Sequence, residues 1–118
     1  MSRARAPRRG DLVRLDFDPP AGHEQAGFRP AVVVSNSLYN ENSSTVIVCP
    51  VTSRQRGWPF EVALPAEARV QGFVLVDQVR AVDWKARKAR TLGSCSAEVM
   101  DEIDARLDVL FRGASRDD

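Results

Sequence analysis

The sequence predicts a mainly β protein: about six or seven short strands in a strongly curved antiparallel sheet closing toward a small barrel, with one helix at the C-terminus. Three observations predict it. Short alternating or apolar runs recur from residue 11 to residue 84, with Gly, Pro, Asn and Ser between them. The links between runs are short, which favours antiparallel neighbours over crossover connections. The long helical periodicity comes only at the end, where Val99, Ile103, Leu107, Leu110 and Phe111 form one apolar stripe.

Taken in order, residues 1–9 carry Arg3, Arg5, Arg8 and Arg9 with little to bury, and are expected to be a disordered basic tail. The domain is expected over residues 10–113, with residues 114–118 as a frayed end. Residues 11–17 alternate, setting Val13, Leu15 and Phe17 against Leu12, Arg14 and Asp16, which reads as a half-buried strand. Asp18-Pro19-Pro20 stops it, because proline cannot donate to a ladder. A polar loop bracketed by Gly22 and Gly27 follows, and Pro30 biases Arg29 toward extended geometry at the mouth of the next strand.

Residues 30–36 form a near-continuous apolar run, expected as a strand buried on both faces. Asn36, Asn40, Asn42, Ser43 and Ser44 mark a long polar loop holding Tyr39. Residues 45–53 are β-branched and read as a strand, with Pro50 suggesting a bulge or an edge. Strands are also expected at 60–64, 72–76 and 78–84, the last two separated by a bulge at Asp77-Gln78. Lys85, Arg87, Lys88 and Arg90 form the densest basic cluster and read as a solvated turn, with an interaction surface as the minority reading. Ser96 is placed to cap the helix and Gly113 to stop it.

Composition narrows the function less than the order of residues does. The 118 residues suit one domain, and a formal net charge of +1 announces no nucleic-acid binder, so any electrostatic footprint must come from local clustering. No apolar run approaches the roughly 20 residues of a membrane span. The N-terminal arginines lack a following apolar segment, so no secretory signal is read and a cytoplasmic protein is expected. The two cysteines, Cys49 and Cys95, are taken as reduced thiols, and the lone His23 leaves no convincing metal site. No cofactor is expected.

The chemistry left over is small and specific. Glu24 and Arg29 share the first loop, and Thr52 and Ser53 end another strand. If those strands are neighbours, a guanidinium and hydroxyls converge on one groove. Such a set suits RNA, which carries its own nucleophile in the 2′-hydroxyl and asks the protein for positioning and charge stabilisation. Arginine's rigid fork matches phosphate oxygens, and it is effectively never deprotonated, so Arg29 is read as a stabiliser and possible proton donor. Glu24 is then either the base or an orienter of Arg29. His23 is read as loop surface ahead of catalysis. Arg54, Arg56 and Arg80 are candidate phosphate contacts, Asp77 and Gln78 candidate readers of base edges, and Phe17 a weaker candidate for stacking. Gln25 joins the RNA-contacting set, within loops at 18–28 and 53–58 expected to set the recognised word. Trp58 and Trp84 are read as core aromatics.

The residues already quoted carry a resemblance. The run Asp11-Leu12-Val13-Arg14-Leu15-Asp16-Phe17-Asp18-Pro19, then Gly22 through Pro30, then Ala31-Val32-Val33-Val34-Ser35, resembles the opening of the MazF/PemK-type toxin endoribonucleases. Cys49-Pro50-Val51-Thr52-Ser53 resembles that family's second signature, and Trp58-Pro59-Phe60-Glu61-Val62 and Val76-Asp77-Gln78-Val79-Arg80 its later strands. The likeness runs in order over about residues 9–111. It implies an SH3-like barrel shared with the CcdB toxins, Arg29 and Thr52 as catalytic, and metal-independent cleavage of single-stranded RNA by 2′-hydroxyl attack, leaving a cyclic phosphate. It also implies a homodimer and a cognate MazE-like antitoxin with an acidic, disordered C-terminal segment. The competing readings are a non-catalytic, gyrase-inhibiting toxin of the CcdB kind and a plain SH3-like nucleic-acid-binding module. The first would want an aromatic-Gly-aliphatic ending, and the last residues here are Ala114-Ser115-Arg116-Asp117-Asp118.

Overall fold

The fold is taken from a computed structural model that describes residues 5–17 and 27–113. The strands are β1 (Asp11–Asp16), β2 (Phe28–Val33), β3 (Thr45–Thr52), β4 (Glu61–Ala63), β5 (Phe73–Leu75), β6 (Arg80–Asp83) and β7 (Arg90–Ser94). Two helices join them, α1 (Ser37–Asn42) and α2 (Ala97–Arg112). All pairings are antiparallel, in the order β4-β5-β3-β2-β1-β7, with β6 also on β3. The mainly β architecture with a C-terminal helix is thus as the sequence predicts.

β3 organises the sheet. One of its edges pairs with β2. The other pairs first with β6, over Thr45 to Val48, and then with β5, at Val51 and Thr52. Pro50 falls where that edge changes partner. Its missing N–H therefore costs no ladder bond on that edge, and the expected bulge or outer edge is corrected to a partner switch within a central strand. Between β5 and β6 the expected single-residue bulge is a 3-10 turn, Val76–Gln78.

The strand alternation splits the apolar residues into two clusters. One face gathers Leu12, Val32, Cys49, Val51, Val62 and Val74 under α2, which contributes Val99, Met100 and Ile103. The other gathers Val13, Leu15, Phe17, Ala31, Val33, Val46, Val48, Val82 and Trp84. α2 starts as expected, with the Ser96 hydroxyl accepting from the Val99 N–H at 3.2 Å. Gly113 ends it at φ 85°, a left-handed conformation that favours glycine. The stripe is seated only over its first half: Leu110 and Phe111 are 36% and 70% exposed, because the sheet ends before the helix does.

Three further sequence expectations need correction. The polar loop after β2 contains α1, capped by the Asn36 side chain accepting from the Leu38 N–H at 2.7 Å. Six residues are too few for a helical stripe to show. Its buried Asn40 donates to the carbonyls of Pro7, at 2.9 Å, and Ser35, at 3.2 Å, and its Oδ1 meets the Ser35 hydroxyl. β7 escapes the sequence reading because Arg-Thr-Leu-Gly-Ser carries one large apolar residue; it is an edge strand held by β1 alone. The segment just before β1 is tied down and is no loose tail: Pro7 is buried, and the Arg9 guanidinium donates to the Val34 carbonyl and pairs with Asp104, each at 2.5 Å.

Candidate active site

Arg29 lies in β2 opposite Leu15 of β1. The β2–β3 register sets Ala31 against Pro50. Continued by two residues along each strand past that last pair, the same register would align Arg29 with Thr52. Alternation then decides the face. Arg29 follows Ala31 and Val33, and Thr52 follows Val46 and Val48, so both project on the side of the Phe17-containing cluster. Arg80, paired with Val48, projects there too, and its guanidinium stands 5.7 Å from the centroid of the Phe17 ring. Three residues far apart in sequence are thereby gathered at one end of one sheet face.

Their surroundings differ in useful ways. Arg29 is exposed, whereas Thr52 is 7% exposed. The Thr52 hydroxyl accepts from the Arg54 N–H at 3.2 Å, which leaves its own proton free to be donated. Gly72 lies against Thr52 from behind, and any side chain there would run into the Thr52 carbonyl. Phe17 is 1% exposed. The expected stacking role for it is therefore corrected: its ring is the floor beneath Arg80, with no face left for a base.

The loop after β3 is the second part of the site. Ser53, Arg54 and Arg56 are all exposed on it. The Glu61 carboxylate holds this loop, accepting the backbone N–H groups of Arg56 at 2.8 Å, Gly57 at 3.2 Å and Trp58 at 3.4 Å. Trp58 then donates its indole N–H to Asp77 at 3.0 Å, which ties the loop to the 3-10 turn carrying Asp77 and Gln78. Trp84 is buried as expected, but Trp58 is 47% exposed, and its expected core role is corrected. Sequence reasoning missed Glu61 and Trp58 because their roles rest on loop geometry, which periodicity does not report. Gln78 is half-buried, and its Oε1 is buried with no hydrogen-bond partner among the described residues. An unmet buried acceptor of this kind is available to a donor from a ligand.

Glu24 and Gln25, with His23, lie outside the described residues. The two ends of their loop are fastened together, with the Phe17 N–H donating to the Gly27 carbonyl at 2.9 Å. Both thiols are poor nucleophiles. Burial, and then the charge of Asp77, pushes Cys49 up to about 12, and burial, then Asp11, pushes Cys95 up to about 11. Among the described residues, no three His, Cys, Asp or Glu side chains gather as a metal site.

The chain matches, over residues 8–111, the model of the family described as PemK-like, MazF-like toxin of type II toxin-antitoxin system. It is 43% identical over 105 residues to the endoribonuclease toxin MazF of Escherichia coli K12, covering 89% of this chain and 94% of that protein. A crystal structure of MazF from Deinococcus radiodurans superposes with a TM-score of 0.86 at 47% identity, covering 91% of this chain and 97% of that one. A MazE–MazF crystal structure from the same organism matches with a TM-score of 0.83 at 46% identity, over 95% of this chain and 100% of that one.

Proposed function

The chain belongs to the PemK-like, MazF-like toxins of type II toxin-antitoxin systems, and on that premise we propose that it is a sequence-specific endoribonuclease acting on single-stranded RNA, with Arg29 and Thr52 as its catalytic pair. The assignment of the pair is supported by the β2–β3 register, which, continued two residues past Ala31 and Pro50, aligns Arg29 with Thr52 on the face that also carries Arg80. The substrate's 2′-hydroxyl attacks the adjacent phosphorus. The P–O5′ bond breaks, and a 2′,3′-cyclic phosphate and a 5′-hydroxyl remain. Arg29 stabilises the charge growing on the non-bridging oxygens, and Thr52 adds one donor. Glu24 either takes the 2′-hydroxyl proton, or orients Arg29 while water takes it; the departing O5′ gains a proton from Arg29 or from water, so one proton is lost and one gained.

Arg54 and Arg56, on the loop held by Glu61, contact flanking phosphates. Ser53, Asp77, Gln78 and Gln25 contact the bases, and the two loops set the word that is cut. No helix among the described residues is long and apolar enough to cross a membrane, and the RNA substrate places the protein in the cytoplasm. Incubating the purified protein with a long RNA and mapping new 5′ ends tests the function. Cuts at one short recurring word are expected; an intact RNA, or cuts without sequence preference, would refute it.

The partners follow the same surface. A homodimer is expected, together with a MazE-type antitoxin whose acidic C-terminal segment lies in the RNA groove across Arg29, Arg54, Arg56 and Arg80. A disordered acidic segment gains affinity by folding on such a surface. Sedimentation should show a dimer at micromolar protein, and reversing Arg54 and Arg56 to Glu should weaken RNA and antitoxin together. A fully active monomer contradicts the first expectation. Loss of RNA binding with antitoxin binding untouched contradicts the second.

A further inference from the structure

Away from the Arg29–Thr52 face, Arg14, Phe28, Lys88 and Arg90 line a cavity of about 220 Å³. The sheet brings them together. Arg14 pairs with Pro30 on one side and Arg90 on the other, and Phe28, two places before Pro30, shares their face. The Arg14 guanidinium stands 4.9 Å from the centroid of the Phe28 ring, which remains 46% exposed. Lys88 reaches in from a fixed turn: the Asp83 carboxylate accepts from the N–H groups of Lys85 and Ala86, and Lys88 itself holds φ 57°.

The charge is one-sided. Among the described residues no carboxylate lines the cavity, and Arg14, Lys88 and Arg90 are in none of the ion pairs. Arg9, Arg106 and Arg112 each have one. Asp16, across from Phe28, is close along the strand but is not part of the lining.

We infer that this cavity is a second RNA subsite, taking a nucleotide that flanks the cleaved bond. A base stacks on Phe28, and the phosphates beside it meet Arg14, Lys88 and Arg90. The inference rests on the endoribonuclease reading for its choice of ligand. Three uncompensated cations beside an exposed ring suit a polymer that repeats a phosphate and a planar base. An acidic peptide would use the cations and leave the ring idle. A two-fold contact with a second copy would set three cations against three. The position fits as well. Phe28 and Arg29 are consecutive in β2 and project to opposite faces, so a strand of RNA crossing the β1–β2 mouth meets both. The subsite supplies affinity without reading sequence.

A fluorescein-labelled oligouridine of about twelve nucleotides, titrated by anisotropy over a salt series, tests this. Phe28→Ala should weaken binding about ten-fold at an unchanged salt slope, since stacking carries no charge. Lys88→Glu with Arg90→Glu should weaken it at least as much and make the slope shallower by about 1.4, at roughly 0.7 per phosphate contact on a single strand. The charge-matched control, Arg5→Glu with Arg112→Glu, both exposed elsewhere, should change little. Equal losses in variant and control, or no loss in either variant, overturn the subsite. So does a variant that spares oligouridine but weakens an acidic peptide, or one that dissociates the dimer in sedimentation. Wild-type protein that binds oligouridine through these residues but cuts no RNA would overturn the endoribonuclease reading and leave the subsite standing.

Discussion

Arg29→Ala should abolish most RNA cleavage and leave the fold intact. Loss of a single transition-state donor costs on the order of 10²–10³ in rate, and removal of a charged two-pronged donor exceeds that range. The side chain is exposed at the end of β2, so little packing goes with it. Single-turnover rates and a thermal melt, measured on the same preparation, check both halves. Thr52→Ser should keep much of the rate, because the hydroxyl survives, whereas Thr52→Ala removes the donor and also the acceptor of the Arg54 N–H. A wild-type rate for Arg29→Ala, or a rate loss that only tracks a lowered melting temperature, would remove Arg29 from the chemistry.

A single deoxyribose immediately before the scissile phosphate should stop cleavage outright, in an otherwise all-ribose RNA. The expected effect is larger than that of either substitution, because the nucleophile itself is gone. No thiol among the described residues replaces it: burial, chiefly, pushes Cys49 up to about 12 and Cys95 up to about 11. Binding should persist, since the phosphates that Arg29, Arg54 and Arg80 are placed to meet are unchanged. The same deoxyribose moved one nucleotide away should be tolerated. Efficient cutting at the modified position would mean a protein or water nucleophile that the structure does not suggest.

The proposed catalytic pair was legible in the sequence to a useful extent. Arg29 before Pro30, and Thr52 at the end of a β-branched run, sit where a strand meets a loop, and the two strands were readable from a near-continuous apolar run and from β-branching. That the two strands pair, and in a register that opposes these two residues, needed the sheet. The failures share a cause. Phe17 was read as a possible stacking surface because alternation says which residues share a face and not which of them the next strand covers. Trp58 was read as core for the converse reason: an aromatic beside a short strand says nothing of the loop that lifts it out. α1 and β7 are too short or too polar to leave a periodic trace. Glu61, whose carboxylate holds three successive backbone donors, looks in sequence like any polar residue of an alternating strand.

The Arg29–Thr52 face is proposed to cleave RNA through the substrate's own 2′-hydroxyl, without a metal. The most direct test is the chemistry of the ends. The protein is incubated with a short cleavable RNA in excess chelator, and both fragments are weighed by mass spectrometry. Full cleavage is expected, with a 2′,3′-cyclic phosphate on the upstream fragment and a 5′-hydroxyl on the downstream one. A 3′-hydroxyl with a 5′-phosphate, or cleavage that vanishes with chelator and returns with a divalent ion, would contradict it.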